Sequence, residues 1–410
     1  MHRPFPASIT GIGIVGPAGI GIDENWETAC AGLPTARVLE ELGDAPVPFA
    51  SPVPDTFDAD RLTGRRVSRH YDRSTQFALV AAEAALEGAG LTRAALDGSR
   101  VAVVLGTAFG GAKTFEDNHA RLLERGPEAV TARFLPKGLV NMVSGILSIE
   151  LGTRGPNLVV STACASGATA IGLGLGLLRA DTADVVVCGG TDAGITPLHV
   201  AGFHKLRALT RARRHPPSRA SRPFDRDHDG FIMAEGAAVL VLEREADATA
   251  RGARPYARLA GYGATADAYH ITAPHPEGHG AKAAIRAACR DAGLGPHEIG
   301  HVNAHATSTP TGDGVEAAVI AELLPEAVVT STKGVTGHTL GAAGAIEAAY
   351  TALALHTQTV PPTANLHTPC DQAAPLDLVA GQARPGRFDT ALSNSFGFGG
   401  HNAVLALTTA

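Results

Sequence analysis

The sequence predicts an α/β fold made of two similar halves. Short β-branched runs alternate with Ala-rich helical patterns, as in sheets covered by helices on both faces. The pattern also repeats. Ala85–Leu91, ending Ala-Gly-Leu ahead of a predicted strand, recurs as Cys289–Leu294, and Val159-Val-Ser-Thr162 with its small-residue helix recurs as Val329-Thr-Ser-Thr332. A chain of 410 residues is long for one core, which fits a duplication. The halves are residues 1–250 and 251–410, meeting in the polar stretch Asp247–Pro255.

Taken in order, Ser8–Val15 is the first strand. Gly11-Ile-Gly13-Ile-Val-Gly16 within it matches a dinucleotide-binding pattern, but Pro17 and a turn stand where the phosphate-binding helix should begin. A long connection follows over 36–65, Pro-rich from 46 to 54 and basic near its end. Thr75–Gly90 has helical periodicity, and Arg100–Leu105 is a strand leading into Gly106-Thr-Ala-Phe109-Gly-Gly111. Leu158–Ser161 is predicted as a buried strand, followed by a sharp turn carrying Cys164 and a small-residue helix to about Ala180. A helix start favours a thiolate, and a strand-to-helix elbow holds a nucleophile rigidly with its sulfur exposed. Taken alone, Cys164 reads equally as a buried structural thiol. The glycines at 167, 172, 174 and 176 are poor helix formers unless other backbone packs closely there.

Asp184–Gly189 and Ala237–Glu243 are further strands. In the second half, His305 follows the strand Gly300–Asn303, with hydroxyls at 307, 308, 309 and 311. His338 sits in a glycine loop opening a helix, with Lys333 before it and Glu347 after. One strand-end His is commonly structural. A Cys and two His at three strand ends point to chemistry, since ligands of α/β sheets gather there. A zinc site from the same three lacks local ligand spacing, so no metal is expected.

Composition limits the alternatives. Hydrophobic residues are 45% and charged residues 18%, as in an ordered globule, and the net charge of −6 gives no reason to expect nucleic acid. Five scattered Cys without a Cys-x-x-Cys pair imply a reducing, cytoplasmic setting. Met1–Thr10 has no apolar signal core, and no run of 18 apolar residues predicts a membrane span.

Five motifs in order resemble the β-ketoacyl-acyl carrier protein synthases of the thiolase superfamily, in their elongating fatty-acid or type II polyketide branch. They are Thr162-Ala-Cys164-Ala-Ser166, Arg222–Phe231, Asn303-Ala-His305-Ala-Thr-Ser-Thr-Pro310, Lys333-Gly-Val-Thr-Gly-His338 and Asn394-Ser-Phe-Gly-Phe398-Gly-Gly400. The resemblance spans essentially the whole chain. It implies a thiolase-like five-layered αβαβα fold, a dimer, and decarboxylative condensation by Cys164, His305 and His338. Cys164 carries the acyl group, and backbone N–H groups of Cys164 and Phe398 hold the oxyanion, worth roughly 2.7–4 kcal/mol per donor. Both His stabilise the enolate. Lys333 and Glu347 match a supporting lysine–glutamate pair, Thr272, Thr307 and Thr309 the pantetheine contacts, and Phe398 a gating aromatic. No cofactor is implied beyond the phosphopantetheine of the acyl carrier protein.

The same resemblance places Phe109 against the acyl pocket, where a bulky ring shortens the site. Arg207, Arg211, Arg213, Arg214, Arg219 and Arg222 form a basic run on a loop predicted to be exposed, with Lys205 and Arg207 as carrier-protein docking residues. The partner subunit is a second copy or a chain-length-factor-like chain. Ala306, Ala234 and His401 depart from the family pattern, which turns the expectation toward specialised, type II polyketide-like synthesis. The alternatives are an acyltransferase or cyclase that uses acyl-Cys without decarboxylation, and a non-catalytic partner subunit, against which Cys164 argues.

Overall fold

The computed structural model describes residues 5–95, 98–211 and 215–410. Arg213 and Arg214 of the basic run lie outside them. The described chain forms a mixed sheet from β1 (Ala7–Gly16), β2 (Val101–Gly106), β3 (Asn157–Val160), β4 (Val185–Asp192), β5 (Gly236–Arg244), β6 (Ala257–Ala266), β7 (His301–Asn303), β8 (Val328–Thr330), β9 (Asp377–Leu378), β10 (Thr390–Gly397) and β11 (His401–Thr408). The order is β9-β8-β7-β10-β11-β6-β1-β5-β4-β2-β3. Outward from β1 the pairings run antiparallel, antiparallel, parallel, parallel, through β5, β4, β2 and β3. Outward from β6 the same sequence of pairings runs through β11, β10, β7 and β8. Within the sheet the two arms pair at Ala7↔Leu259, Ser8↔Arg258 and Ile9↔Ala257.

The helices that bear on the layers and the site are α1 (Arg73–Gly88), α2 (Ala112–Arg125), α3 (Met142–Leu151), α4 (Ser166–Arg179), α5 (Pro197–Lys205), α6 (His279–Ala292), α7 (Pro310–Leu323) and α8 (Ala343–Thr357). Helix α1 covers the outer face of the first arm, α6 and α7 cover that of the second, and α4 and α8 lie between the arms. This gives five layers. Gly11 and Gly13 are explained by that packing and not by a nucleotide. A Cβ on them would lie 2.0 Å from Ala85 O and 1.9 Å from Ala81 O, both on α1. Gly261 and Gly263 on β6 meet Ala288 O and Ala284 O of α6 in the same way, at 2.5 and 2.1 Å. The two central helices cross reciprocally: a Cβ on Gly167 would lie 2.8 Å from Ala345 N, and one on Gly344 would lie 2.8 Å from Ala168 N.

Two details differ from the expectation. Strand β3 is at the sheet edge, paired on one side only, and Leu158 is 44% exposed. Its apolar run reads as buried because sequence alone does not say which strand ends the sheet. Of the four α4 glycines, Gly167, Gly172 and Gly174 face close neighbours, whereas Gly176 faces open space.

Candidate active site

The site lies where the two central helices begin. The turn after β3 puts Ala163 at φ +50, and α4 starts at Ser166, two residues beyond Cys164. Ser166 Oγ closes the elbow by donating to Ala163 O (2.6 Å) and accepting from Thr162 N–H (2.9 Å). On the other arm, β8 leads to Lys333 and His338 ahead of α8, while β7 leads to His305. The Gly167–Gly344 crossing holds the two helix starts together. The hairpin of β10 and β11 brings in Phe398. Gly397 must be glycine because of backbone approach, since a Cβ would lie 2.6 Å from Thr162 O and 3.1 Å from Cys164 N.

Cys164, His305, His338, Phe398, Thr272, Thr307, Thr309 and Arg207 line one cavity of about 270 Å³. Lys333 and Glu347 lie buried behind it as an ion pair. Lys333 Nζ is also 3.4 Å from His305 Nδ1. An ammonium only donates, so Nδ1 accepts and the ring proton sits on Nε2. Burial, then the Lys333 charge, hold both imidazoles well below the ordinary His range. The two rings, 5.4 Å apart between centroids, are therefore neutral at neutral pH. His338 is set by its backbone, with N–H donating to Ile232 O (2.8 Å) and C=O accepting from Ala234 N–H (3.0 Å). Its Nδ1 is buried and has no partner among the described residues.

The thiol corrects the expectation of a ready thiolate. Burial pushes Cys164 up to about 12, opposed by the Lys333 charge and by the Phe398 backbone N–H.

Two groups that the sequence reading missed hold the site. Glu316, on the buried face of α7, accepts from His305 N–H (2.9 Å), Ala306 N–H (2.7 Å) and Asn394 Nδ2 (2.9 Å), and burial pushes its carboxyl up to about 7. An acid amid Ala317, Val319 and Ile320 on an apolar face was the signal available. Asp192, at the end of β4, accepts from Thr107 Oγ1 (2.7 Å) and the N–H groups of Ala108 (2.9 Å), Phe109 (3.1 Å) and Gly341 (2.7 Å). It ties the Phe109 loop to the turn after His338.

Other expected residues stand further out. Thr307 and Thr309 face each other at 3.0 Å, and Thr272 lies at the mouth beside His270. Gly399 and Gly400 take φ of +82 and +75, and their loop is tied to the mouth by Gly399 N–H to Ile271 O (2.8 Å) and Asp267 N–H to Gly400 O (2.9 Å). Phe109 does not line the cavity; it packs behind Phe203 and Leu340, which do. Lys205, Arg207, Arg211 and Arg219 are exposed, but Arg222 is buried against Asp225, so the run is not wholly a surface patch. His401 is exposed beside Gly399, outside the cavity wall, whereas Ala306 and Ala234 are buried. Among the described residues no three His, Cys, Asp or Glu side chains group as a metal site.

A duplicated thiolase-like fold with one Cys and two neutral His at a shared cavity defines a condensing acyltransferase. The chain belongs to the β-ketoacyl synthase family: residues 5–248 match its N-terminal domain and residues 256–367 its C-terminal domain. It is 43% identical to 3-oxoacyl-[acyl-carrier-protein] synthase 2 of Synechocystis, over 97% of this chain and 96% of that one, and 41% identical to the Vibrio cholerae protein of the same name, over 97% of each. Among solved structures, it matches a type II polyketide ketosynthase bound to a hexaketide and in complex with its acyl-carrier protein (TM-score 0.92, 30% identity, 100% of both chains). It also matches the ishigamide ketosynthase/chain length factor (TM-score 0.92, 33% identity, 99% and 100%).

Proposed function

We propose that the chain catalyses decarboxylative Claisen condensation between an acyl group on Cys164 and a malonyl-type thioester on acyl carrier protein. The observation that carries this reading is the pair of buried, neutral imidazoles sharing the Cys164 cavity. Two neutral N–H donors suit an enolate oxygen, which forms when malonate loses CO2. In the first step Cys164 Sγ bonds to the acyl carbonyl carbon, and the carrier thiol leaves with the cysteine proton. The N–H groups of Cys164 and Phe398 hold the oxyanion. In the second step the malonyl C–C bond breaks to release CO2, and its electron pair forms an enolate held by Nε2–H of His305 and His338. The enolate carbon then attacks the acyl-Cys. The carbon–sulfur bond breaks, the thiolate takes one proton, and a β-ketoacyl carrier is released. Lys333 and Glu347 act by setting the His305 tautomer, and Glu316 by holding its backbone. The substrate's own phosphopantetheine, bound by Thr272, Thr307 and Thr309, supplies the carrier arm without a further cofactor.

Arg207, exposed on the cavity lining, and Lys205, exposed two residues before it, suit an acidic carrier protein. The edge of β3, unpaired among the described residues, with exposed Leu158 on it and exposed Ile149 on the adjoining α3, supports pairing with a second copy or a chain-length-factor-like subunit. The matched pairing order of the two arms supports reading residues 1–250 and 251–410 as duplicated units. Among the described residues no helix is long and apolar enough to cross a membrane, which is compatible with cytoplasmic work. Specialised synthesis remains part of this proposal, supported by the polyketide ketosynthases among the structural relatives.

The test is intact-mass spectrometry of enzyme and carriers after mixing a short acyl carrier with malonyl carrier. Conversion of the malonyl carrier to a β-ketoacyl carrier, abolished in Cys164→Ala, is expected. Acylated Cys164 with malonyl carrier untouched would replace this reading with simple acyl transfer or cyclisation.

A further inference from the structure

Phe109, packed behind the cavity-lining Phe203 and Leu340, is held from several sides. Its backbone N–H is fixed by Asp192. Its ring lies 4.2 Å, centroid to centroid, from His199 and 6.2 Å from Phe203. Gly194 leaves no slack on one side, since a Cβ there would be 3.2 Å from both Phe109 and Leu340. Behind the ring, His199 is itself clamped. Its Nδ1 is 2.8 Å from Thr196 Oγ1 and 3.0 Å from Glu116 Oε1. Thr196 Oγ1 donates to the same Glu116 oxygen (2.7 Å) and accepts from His199 N–H (3.2 Å) as the cap of α5. Glu116 belongs to α2, so the clamp joins two helices behind one phenyl ring. A His in the first turn of α5 has no other partner among the hydrogen bonds of the described residues that would account for this orientation.

We propose that Glu116, Thr196 and His199 form a specificity-determining buttress that holds Phe109 firmly behind the cavity-lining Phe203 and Leu340, so that this side of the acyl site cannot yield and the enzyme is restricted to short acyl thioesters. The proposal rests on the condensing reading above and on the acyl chain running past Phe203 and Leu340, which Phe109 backs. These three are positioning residues: they act through the ring and touch no reacting atom. Phe203 and Leu340 line the cavity with Cys164, and Phe109 links them to the three buttress residues behind. If the buttress is removed, the ring can rotate into the space vacated by the imidazole, and a longer chain fits. Each misfitted methylene in an apolar pocket changes selection by roughly ten-fold or more.

The experiment measures acylation of Cys164 in the full-length enzyme by butanoyl-, octanoyl- and dodecanoyl-carrier protein, with kcat and KM resolved for each. The variants are His199→Ala, Glu116→Ala, Phe109→Ala and the Phe109→Ala/His199→Ala double, with melting temperatures as the folding check. His199→Ala and Glu116→Ala should raise the octanoyl-to-butanoyl ratio by roughly ten-fold, with butanoyl kcat nearly unchanged. The double variant should match Phe109→Ala alone, because the buttress has no ring left to hold. A ratio that stays flat in both His199→Ala and Glu116→Ala while Phe109→Ala shifts it overturns the buttress and keeps only Phe109 as the backing of the wall. Additive effects in the double variant also overturn it, by making His199 a wall in its own right. A flat ratio in Phe109→Ala overturns the placement of the ring and the buttress with it, while butanoyl transfer to Cys164 leaves the condensing reading standing. No acyl group on Cys164 from any carrier overturns both.

Discussion

Replacing Gly397 with alanine tests the oxyanion geometry without touching a side chain of the site. The new methyl group would sit 2.6 Å from Thr162 O, 3.1 Å from Cys164 N and 3.3 Å from Ala165 N. These are backbone atoms of the nucleophile elbow, so no flexible side chain can yield. The β10–β11 loop must retreat by about half an ångström or more, which carries the Phe398 N–H away from the sulfur, and displacements of that order cost up to 10²-fold in rate. Losing one oxyanion donor outright costs about 2.7–4 kcal/mol, or 10²–10³-fold in kcat. The assay is stopped-flow or quenched acylation of Cys164 by acyl carrier protein, alongside a melting curve. Gly176→Ala is the control: it faces open space on α4, so it should leave acylation alone and add about 0.5–1 kcal/mol of stability. Acylation by Gly397→Ala within about three-fold of the parent would refute the role given to the Phe398 N–H.

Three further outcomes follow. Lys333→Ala leaves Glu347, which burial already pushes up to about 7 beside the ammonium, without its partner; the acid should take a proton near neutral pH, so urea denaturation should show a loss of about 3–5 kcal/mol at pH 9 that shrinks toward pH 6, and a loss below 1 kcal/mol at pH 9 would mean the pair is not buried in solution. Alkylation of Cys164 in the free enzyme should keep accelerating with pH above 9, because burial has pushed the thiol up to about 12, whereas a plateau near pH 7 would contradict that burial. His301 is buried with its Nδ1 on Val328 O and is lowered to about 4, so the unfolded chain takes a proton below 6.5 that the folded chain refuses down to about 4. Its contribution is complete above pH 6.5 and is lost as pH falls across that window, by about 1.4 kcal/mol per pH unit. The stability difference between pH 5 and 7.5 should be smaller in His301→Gln than in the parent by that contribution, since His305 and His338, which add to the slope, and Glu316, Glu347 and Asp192, which oppose it, act alike in both proteins; equal differences would mean that His301 is not held neutral by burial.

The strands and the reactive trio were legible because each carries a local signature: β-branched runs, a Cys at an elbow, a His after a strand. The edge position of β3 was not legible, because it depends on which strand finds no further neighbour. Glu316 and Asp192 were hidden for another reason. Their work is done through backbone N–H groups of residues 10 to 149 positions away, and a backbone donor leaves no mark in a sequence. The thiol's raised affinity for its proton was missed because desolvation depends on how the whole chain closes over it. Gly11 and Gly13 carried a true signal of close approach, but the partner was the backbone of α1 and not a phosphate.

The reciprocal contact of Gly167 and Gly344 separates what this protein can vary from what it cannot. The spacing between nucleophile and imidazole is written in two hydrogen atoms at the centre of the molecule, far from the loops that meet substrates and partners. Those loops can drift, lengthen or change charge while the reacting distances stay calibrated. A methyl group at either glycine would act like a shim between two halves of a vice, spoiling the reaction for every substrate alike.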